Sequence, residues 1–387
     1  MSEDEGGFAE GILGRAEYAP TLPAAGGAFK PWHKPRKQYV RDHQWRSEIL
    51  SLLEDSPSNG PLTYLGLPGS DLLDLRFFHS AFCSDGQLGL RFLGFNTDLA
   101  LPGPQQTELS VSMDEVLRLD GVDQQSLVVP DDFACLSSDR SLGWKKAHDL
   151  GPFDVVNLDL CDGFAKGAPS IVPDTLYNAM LKLMALQARR PTPWLFLLTT
   201  RTDRDKVNGE TLRRLLQLYG ANVTSCTEFR EASVAHLQVS DEPSMAAAAA
   251  TPQGFLRLFM TGLCKWLAAS ALAHVPPTEA QVRSVIGYRV RSGARAVDLV
   301  SVAVRFTPTF RPVTDPTGLG TPGLPPDGEC RAAVESLNQI VGLTDADQVL
   351  AEDPELFARM RDGSGHLLAQ ARYNRTEYEG WVAAGCR

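Results

Sequence analysis

At 387 residues the chain is long enough for two or three folded units, or for one enlarged domain with appendages. Hydrophobic residues at 43% and charged residues at 22% are ordinary globular usage, which excludes wholesale disorder, collagen and coiled coil. A net charge of -10 excludes a protein that meets nucleic acid or an anionic membrane with its whole surface, and leaves room for a local basic patch.

Residues 1–28 are rich in Gly, Ala, Pro and acids and have no periodicity, so they read as an acidic, disordered leader. The leader lacks the basic and apolar regions of a signal peptide, and the expectation is a cytoplasmic protein. Order is expected from about Phe29. There the composition turns basic through FKPWHKPRKQYVRDHQWR, and apolar residues at near-helical spacing predict a helix over 38–53.

Short apolar runs then alternate with helical runs. Strands are predicted over 62–67, 90–95, 126–129, 153–160 and 194–199, with helices over 113–119 and 175–189 between them. Such alternation argues for parallel strands joined by crossover helices in a doubly wound α/β sheet. After residue 205 a helix is expected to end at Gly220, and the most apolar stretch, 255–275, reads as a buried or amphipathic helix because Arg257 and Lys265 interrupt it. The alanine tract 246–250 extends that helix or spaces it. Runs 286–290 and 297–306, joined by RSGARA, predict an antiparallel hairpin. A Pro/Gly-rich linker (311–330) and a helical tail (331–387) complete the chain.

Four segments carry candidate chemistry. In LTYLGLPGSDLLDL, Gly66 and Gly69 follow a strand, where backbone can approach a nucleotide or the loop merely turns. In LRFLGFNTD, Asp98 suits ribose hydroxyls as well as it suits the solvated start of a loop. FDVVNLDLCDGF delivers Asn157, Asp159 and Asp162 to the end of a buried strand, where polar groups must bind something or each other. The segment from Trp32 to Trp45 sets aromatics among cations: Trp32, His33, Lys34, Arg36, Lys37, Tyr39, Arg41 and Trp45 fit a nucleic-acid contact, or a helix whose aromatics dock on the sheet and whose charges are paired. The seven cysteines stand singly, without the paired spacing of a zinc or redox site, as suits a reducing compartment.

The glycine turn, the acid after the second strand, the acidic motif after the fourth and the terminal hairpin together resemble a class I S-adenosylmethionine-dependent methyltransferase over residues 29–310. The Lys-Pro-Arg-Lys-Gln run resembles methyltransferase-like proteins of phage-defence and mobile-element neighbourhoods. The resemblance implies S-adenosylmethionine as cofactor, with Gly66 and Gly69 at its methionine part, Asp98 at the ribose and Asp131 or Asp132 at the adenine. It implies Asn157, Asp159 and Asp162 beside the transferred methyl. Two departures stand out: Pro68 inside the glycine loop, and Asp159-Leu160-Cys161-Asp162 where amino-methylating enzymes carry an Asn-Pro-Pro-Tyr type tetrapeptide. The expectation is a methyltransferase acting on nucleic acid. The alternative is a catalytically silent subunit of a multi-protein, antiviral assembly. A metal-dependent nuclease using Asp159 and Asp162 ranks behind both.

Overall fold

A computed structural model describes residues 27–57, 60–84, 86, 88–97, 103–160, 162–169, 175–291, 293–309 and 328–386. Five parallel strands come first: β1 (Leu62–Gly66), β2 (Leu90–Phe95), β3 (Leu127–Val129), β4 (Val155–Asp159) and β5 (Trp194–Arg201). The hairpin of β6 (Thr278–Tyr288) and β7 (Leu299–Pro308) then adds antiparallel to β5, and a two-residue β8 (Thr344–Asp345) pairs with β6. The order is β3-β2-β1-β4-β5-β7-β6-β8, the doubly wound, mostly parallel sheet ending in an antiparallel hairpin that the sequence predicts.

Every residue of β5 is buried, because helices cover both faces of the sheet and a central parallel strand has no solvent side. One face carries α5 (Leu142–Leu150), α6 (Leu176–Gln187) and α10 (Pro252–Leu272), packed around Phe153, Val156, Phe196 and Phe259. Helix α10 is long and apolar enough to cross a membrane, yet 72% of its apolar window is buried within the protein, as expected for a core helix. The other face carries α3 (Leu73–Phe78), α4 (Pro104–Leu117) and a helical rod made of α1 (Pro35–Val40), a π-helical turn (Arg41–Arg46) and α2 (Ser47–Asp55). In that rod Trp45 is fully buried, as are Val40 and Ile49. Burial of each such side chain contributes about 1.5–3 kcal/mol.

The rod also settles a backbone irregularity. Gln44, fully buried, donates to the carbonyls of Ser284 (3.1 Å) and Ser301 (3.0 Å) and accepts from the Ser301 hydroxyl (2.6 Å), beside the β-bulge between Val282 and Ser284. A bulge leaves ladder groups unpaired, and this side chain supplies their partners.

α7 (Gly209–Ser225) runs past Gly220, and α8 (Thr227–Leu237), which the sequence does not announce, follows it at once. The alanine tract neither extends α10 nor acts as a spacer: α9 (Glu242–Ala249) starts at a capping box between Asp241 and Ser244 and ends before Thr251 caps α10. α11 (Gly328–Val341) is joined to the start of α8 by a disulfide between Cys226 and Cys330, which corrects the expectation of single, unpaired cysteines.

The tail does not stand apart. α12 (Ala346–Glu352), α13 (Pro354–Gln370) and α14 (Arg375–Ala383) share one hydrophobic core with α1 and α3. Phe29 lies against Tyr373, Tyr378 and Trp381, and the Tyr378 hydroxyl donates to the His33 carbonyl (2.9 Å). Residues 1–26 of the leader and 311–327 of the linker lie outside the described residues, as do Asp98 and Cys161.

Candidate functional site

Parallel strands end together on one edge, and the loops that follow them form a cleft there. In this chain the cleft measures about 1060 Å³, just above the roughly 300–1,000 Å³ usual for small-molecule sites. Its floor is the loop after β1 (Leu67 to Asp71), Asn96 after β2, Asp131 and Asp132 after β3, and Asp159 at the end of β4.

The two glycines of the first loop part company. Gly69 lies on the cleft, and a Cβ there would meet nothing within 4 Å, so backbone is open to a ligand. Gly66 is closed: a Cβ would come within 2.6 Å of the Tyr64 ring, which is fully buried. Gly66 therefore makes room for Tyr64 inside the sheet, a correction to its assignment to a cofactor. Pro68 is fixed from behind, its carbonyl accepting from Asn96 (2.8 Å), and Gly94 is the residue that leaves space for its ring.

Asp131 and Asp132 line the cleft together. Asp132 caps a short helix by accepting from the Ala134 amide (2.8 Å), and Asp131 accepts from the Asp132 amide (2.8 Å). The acidic motif after β4 is divided by depth along the strand, since Asn157 and Asp159 share a face, and by the loop that follows. Asp159 faces the cleft. Asn157, two residues earlier, is wholly buried and paired in register with Gly66 and Leu197. Asp162 leaves the cleft altogether: it ion-pairs with Lys166 (2.6 Å) and Lys206 (3.5 Å), and Lys166 foremost holds its carboxyl below the usual range. Among the described residues no three His, Cys, Asp or Glu side chains are grouped to hold a metal ion.

The basic segment has a different place from a solvent-facing patch. Lys37 is buried, with Nζ 2.5 Å from Asp159 Oδ1 and 4.4 Å from the centre of the Trp45 ring. Arg41 is buried against Asp74 (2.9 Å), and Arg36 pairs with Asp347 (2.9 Å). Tyr39 stacks on His43 at 4.4 Å, and Trp45 is in the core. His33, Lys37, Tyr39, Arg41 and Trp45 are thus interior groups, and the reading of this segment as a docked helix with paired charges describes them. An acidic chain that must seat a helix beside the strand ends neutralises its carboxylates with that helix's cations. Lys34 is half-buried, and Trp32, 40% exposed, lines the cleft with Lys30.

Asp71, which follows the glycine turn in sequence, also lines the cleft, as do Glu108 and Tyr373, which no sequence motif singles out. Asp71 accepts from Tyr373 (3.1 Å), Ser70 (3.0 Å) and His33 Nε2 (3.3 Å). The Lys30 amide donates to His33 Nδ1 (3.2 Å), so Nε2 carries the ring proton and the imidazole is neutral. Burial lowers the His33 pKa more than Asp71 raises it. Burial pushes Asp71 up, but the bonds from His33, Ser70 and Tyr373 outweigh it and its carboxyl lies below the usual range. Arg372 bridges Glu108 and Glu115 of α4, and Arg76 reaches Glu115 as well, which fastens the tail to the cleft wall.

The chain resembles two solved structures at the level of a distant likeness. Magnesium protoporphyrin IX methyltransferase from Synechocystis PCC 6803 with bound SAM is 10% identical, with 71% of this chain and 80% of that chain covered at a TM-score of 0.32. The plantazolicin methyltransferase BpumL in complex with SAH is 10% identical, with 71% and 85% covered at a TM-score of 0.33. No curated protein matches in sequence. One family matches from residue 27, at the cleft rim, to residue 383, the end of α14, taking in the helical rod, the sheet and the tail alike: the chain belongs to the PP_RS20740-like family.

Proposed function

We propose that the cleft binds S-adenosylmethionine and that the protein transfers its methyl group to an acceptor beside Asp159. The observation that carries this reading is the gathering of Gly69, Asp131, Asp132 and Asp159 around one cleft at the carboxyl edge of β1 to β4. The residues suit the cofactor in shape and charge: open backbone at Gly69, and carboxylates at Asp71, Asp131 and Asp132 to complement its ammonium, hydroxyls and amine.

When bound, the cofactor supplies an electrophilic methyl on a sulfonium, and methyl transfer needs alignment more than acid or base help. Gly69 would bring main chain against the bound cofactor, and Asp131 and Asp132 would accept hydrogen bonds from it. Lys37 holds Asp159 by Oδ1, so the carboxylate is oriented where an acceptor N–H or O–H can donate to it. The Asp71–His33–Tyr373 cluster keeps the wall in place.

Once the buried and ion-paired members of the basic segment are set aside, Trp32 and Lys34 are what it offers a nucleic-acid acceptor. The test is calorimetric titration with S-adenosylmethionine and S-adenosylhomocysteine, repeated with Gly69→Leu and Asp131→Ala. Micromolar binding weakened about tenfold or more by either variant is expected. No heat with either ligand refutes the enzyme reading and favours the silent-subunit alternative.

A further inference from the structure

The cleft wall after β1 is built on one carboxylate, and two segments outside the sheet hold it. Asp71 Oδ2 accepts from His33 Nε2 (3.3 Å), in the turn Pro31–His33, and from the Tyr373 hydroxyl (3.1 Å), in the link between α13 and α14. Oδ1 accepts from the Ser70 hydroxyl (3.0 Å). A carboxylate oxygen has two lone pairs, so these bonds fill Oδ2 and leave Oδ1 a place for one more donor. The Asp71 side chain is 11% exposed and lines the cleft with Gly69, where backbone is open.

All three donors are neutral. The Lys30 amide fixes His33 as the neutral imidazole, and burial, with the Asp71 charge behind it, pushes the Tyr373 hydroxyl up so that it stays a donor. The cations of this corner are committed elsewhere: Arg41 to Asp74 (2.9 Å), Arg372 to Glu108 and Glu115, and Arg76 to Glu115 and, through Nε, to the Asp71 main-chain carbonyl (3.0 Å). Among the described residues no lysine or arginine ion-pairs with the Asp71 carboxylate. Burial pushes that carboxyl up, yet its three bonds hold it below the usual range. Neutral donors stabilise such a charge without cancelling it, and a buried charge is costly until an opposite one meets it. Sheet order sets the loop after β1 between Asp131 and Asp132, after β3, and Asp159, after β4, so a ligand lying along these strand ends passes Asp71.

We propose that His33 and Tyr373 are positioning residues of the cofactor site, fixing Asp71 by Oδ2 so that Oδ1 receives the ammonium of S-adenosylmethionine. The inference rests on the methyl-transfer reading above. It makes the C-terminal tail a working part of the site, since the link between α13 and α14 supplies a hydroxyl to a carboxylate 302 residues away. A carboxylate that only tied the turn to the tail would be indifferent to the charge of a ligand, and that difference is what the test reads.

The test is calorimetric titration of the full chain with S-adenosylhomocysteine and with its deamino analogue, in which hydrogen replaces the ammonium and all else is kept. Wild type is expected to prefer S-adenosylhomocysteine by about tenfold or more, the worth of one charge-assisted hydrogen bond. Asp71→Asn should abolish that preference. Tyr373→Phe, which keeps the ring against Phe29 and removes only the hydroxyl, should cut it about threefold or more. Both variants should bind the deamino analogue as wild type does. Equal affinity of wild type for the two ligands overturns the proposal and needs no variant to fold. So does a Tyr373→Phe protein that keeps the full preference, or variants that weaken both ligands in the same proportion, the mark of a merely structural tie. S-adenosylhomocysteine binding without the preference sinks this inference and leaves the methyltransferase reading standing. Binding of neither ligand sinks both.

Discussion

The contact between Lys37 and Asp159 predicts an asymmetric double-mutant cycle. The Lys37 side chain is 2% exposed and Asp159 20%, so the two ends of one ion pair sit in different environments. Asp159→Asn leaves an ammonium buried behind the cleft without its carboxylate, and removing one partner of a buried pair costs about 3–5 kcal/mol. Lys37→Met leaves a carboxylate that can still draw water from the cleft, and its methionine fills the space over Trp45, so the cost is nearer the about 1–3 kcal/mol of an unsatisfied polar group. The double variant removes both charges and should recover to within about 1–2 kcal/mol of wild type, since neither buried charge is then left without its partner. Urea unfolding of the four proteins measures the cycle, and the coupling is the departure from additivity. Equal losses in the two single variants, or a double variant equal to their sum, would refute the claim that Lys37 serves the Asp159 carboxylate.

Three further outcomes follow from the same geometry. Gly66→Ala drives a methyl into the buried Tyr64 ring and should cost about 1–3 kcal/mol, whereas Gly69→Ala, with open space, should stay within about 0.5 kcal/mol; similar melting temperatures for the two variants contradict the division of the loop. Because burial depresses the His33 pKa below its ordinary 6.5, the unfolded chain takes up a proton before the folded one as pH falls. His33 therefore leaves stability untouched above about pH 6.5 and removes it progressively below, and His33→Gln should flatten urea-derived stability between pH 7.5 and 5.5; an unchanged slope rejects a neutral buried imidazole. The Cys226–Cys330 bond spans 104 residues, so reduction should lower stability by about 4–5 kcal/mol on chain-entropy grounds, and an unchanged urea midpoint in dithiothreitol would speak against the pairing.

The alternation of apolar strands and helices determined the doubly wound sheet, and the strands at 90–95 and 194–199 stand where their hydrophobic runs place them. Those signals are local: a strand buried on both faces must be apolar throughout, whatever packs on it. The loop ends were legible for the same reason, since Gly69, Asp131, Asp132 and Asp159 follow directly on strands and share one edge. Local pattern is blind to which neighbour a polar side chain will meet. A lysine written among aromatics and cations looks like a phosphate contact, and only the docking of α1 beside β4 makes Lys37 the partner of Asp159, 122 residues away. Gly66 and Gly69 look alike in sequence, yet the fold fills the space at one with Tyr64 and leaves it open at the other. The tail gave no sign that Tyr373 would meet Asp71 across 302 residues. Backbone periodicity is a property of a segment, whereas ion pairing, cavity walls and the closing of a cleft are properties of segments brought together, and these the tertiary structure alone decided.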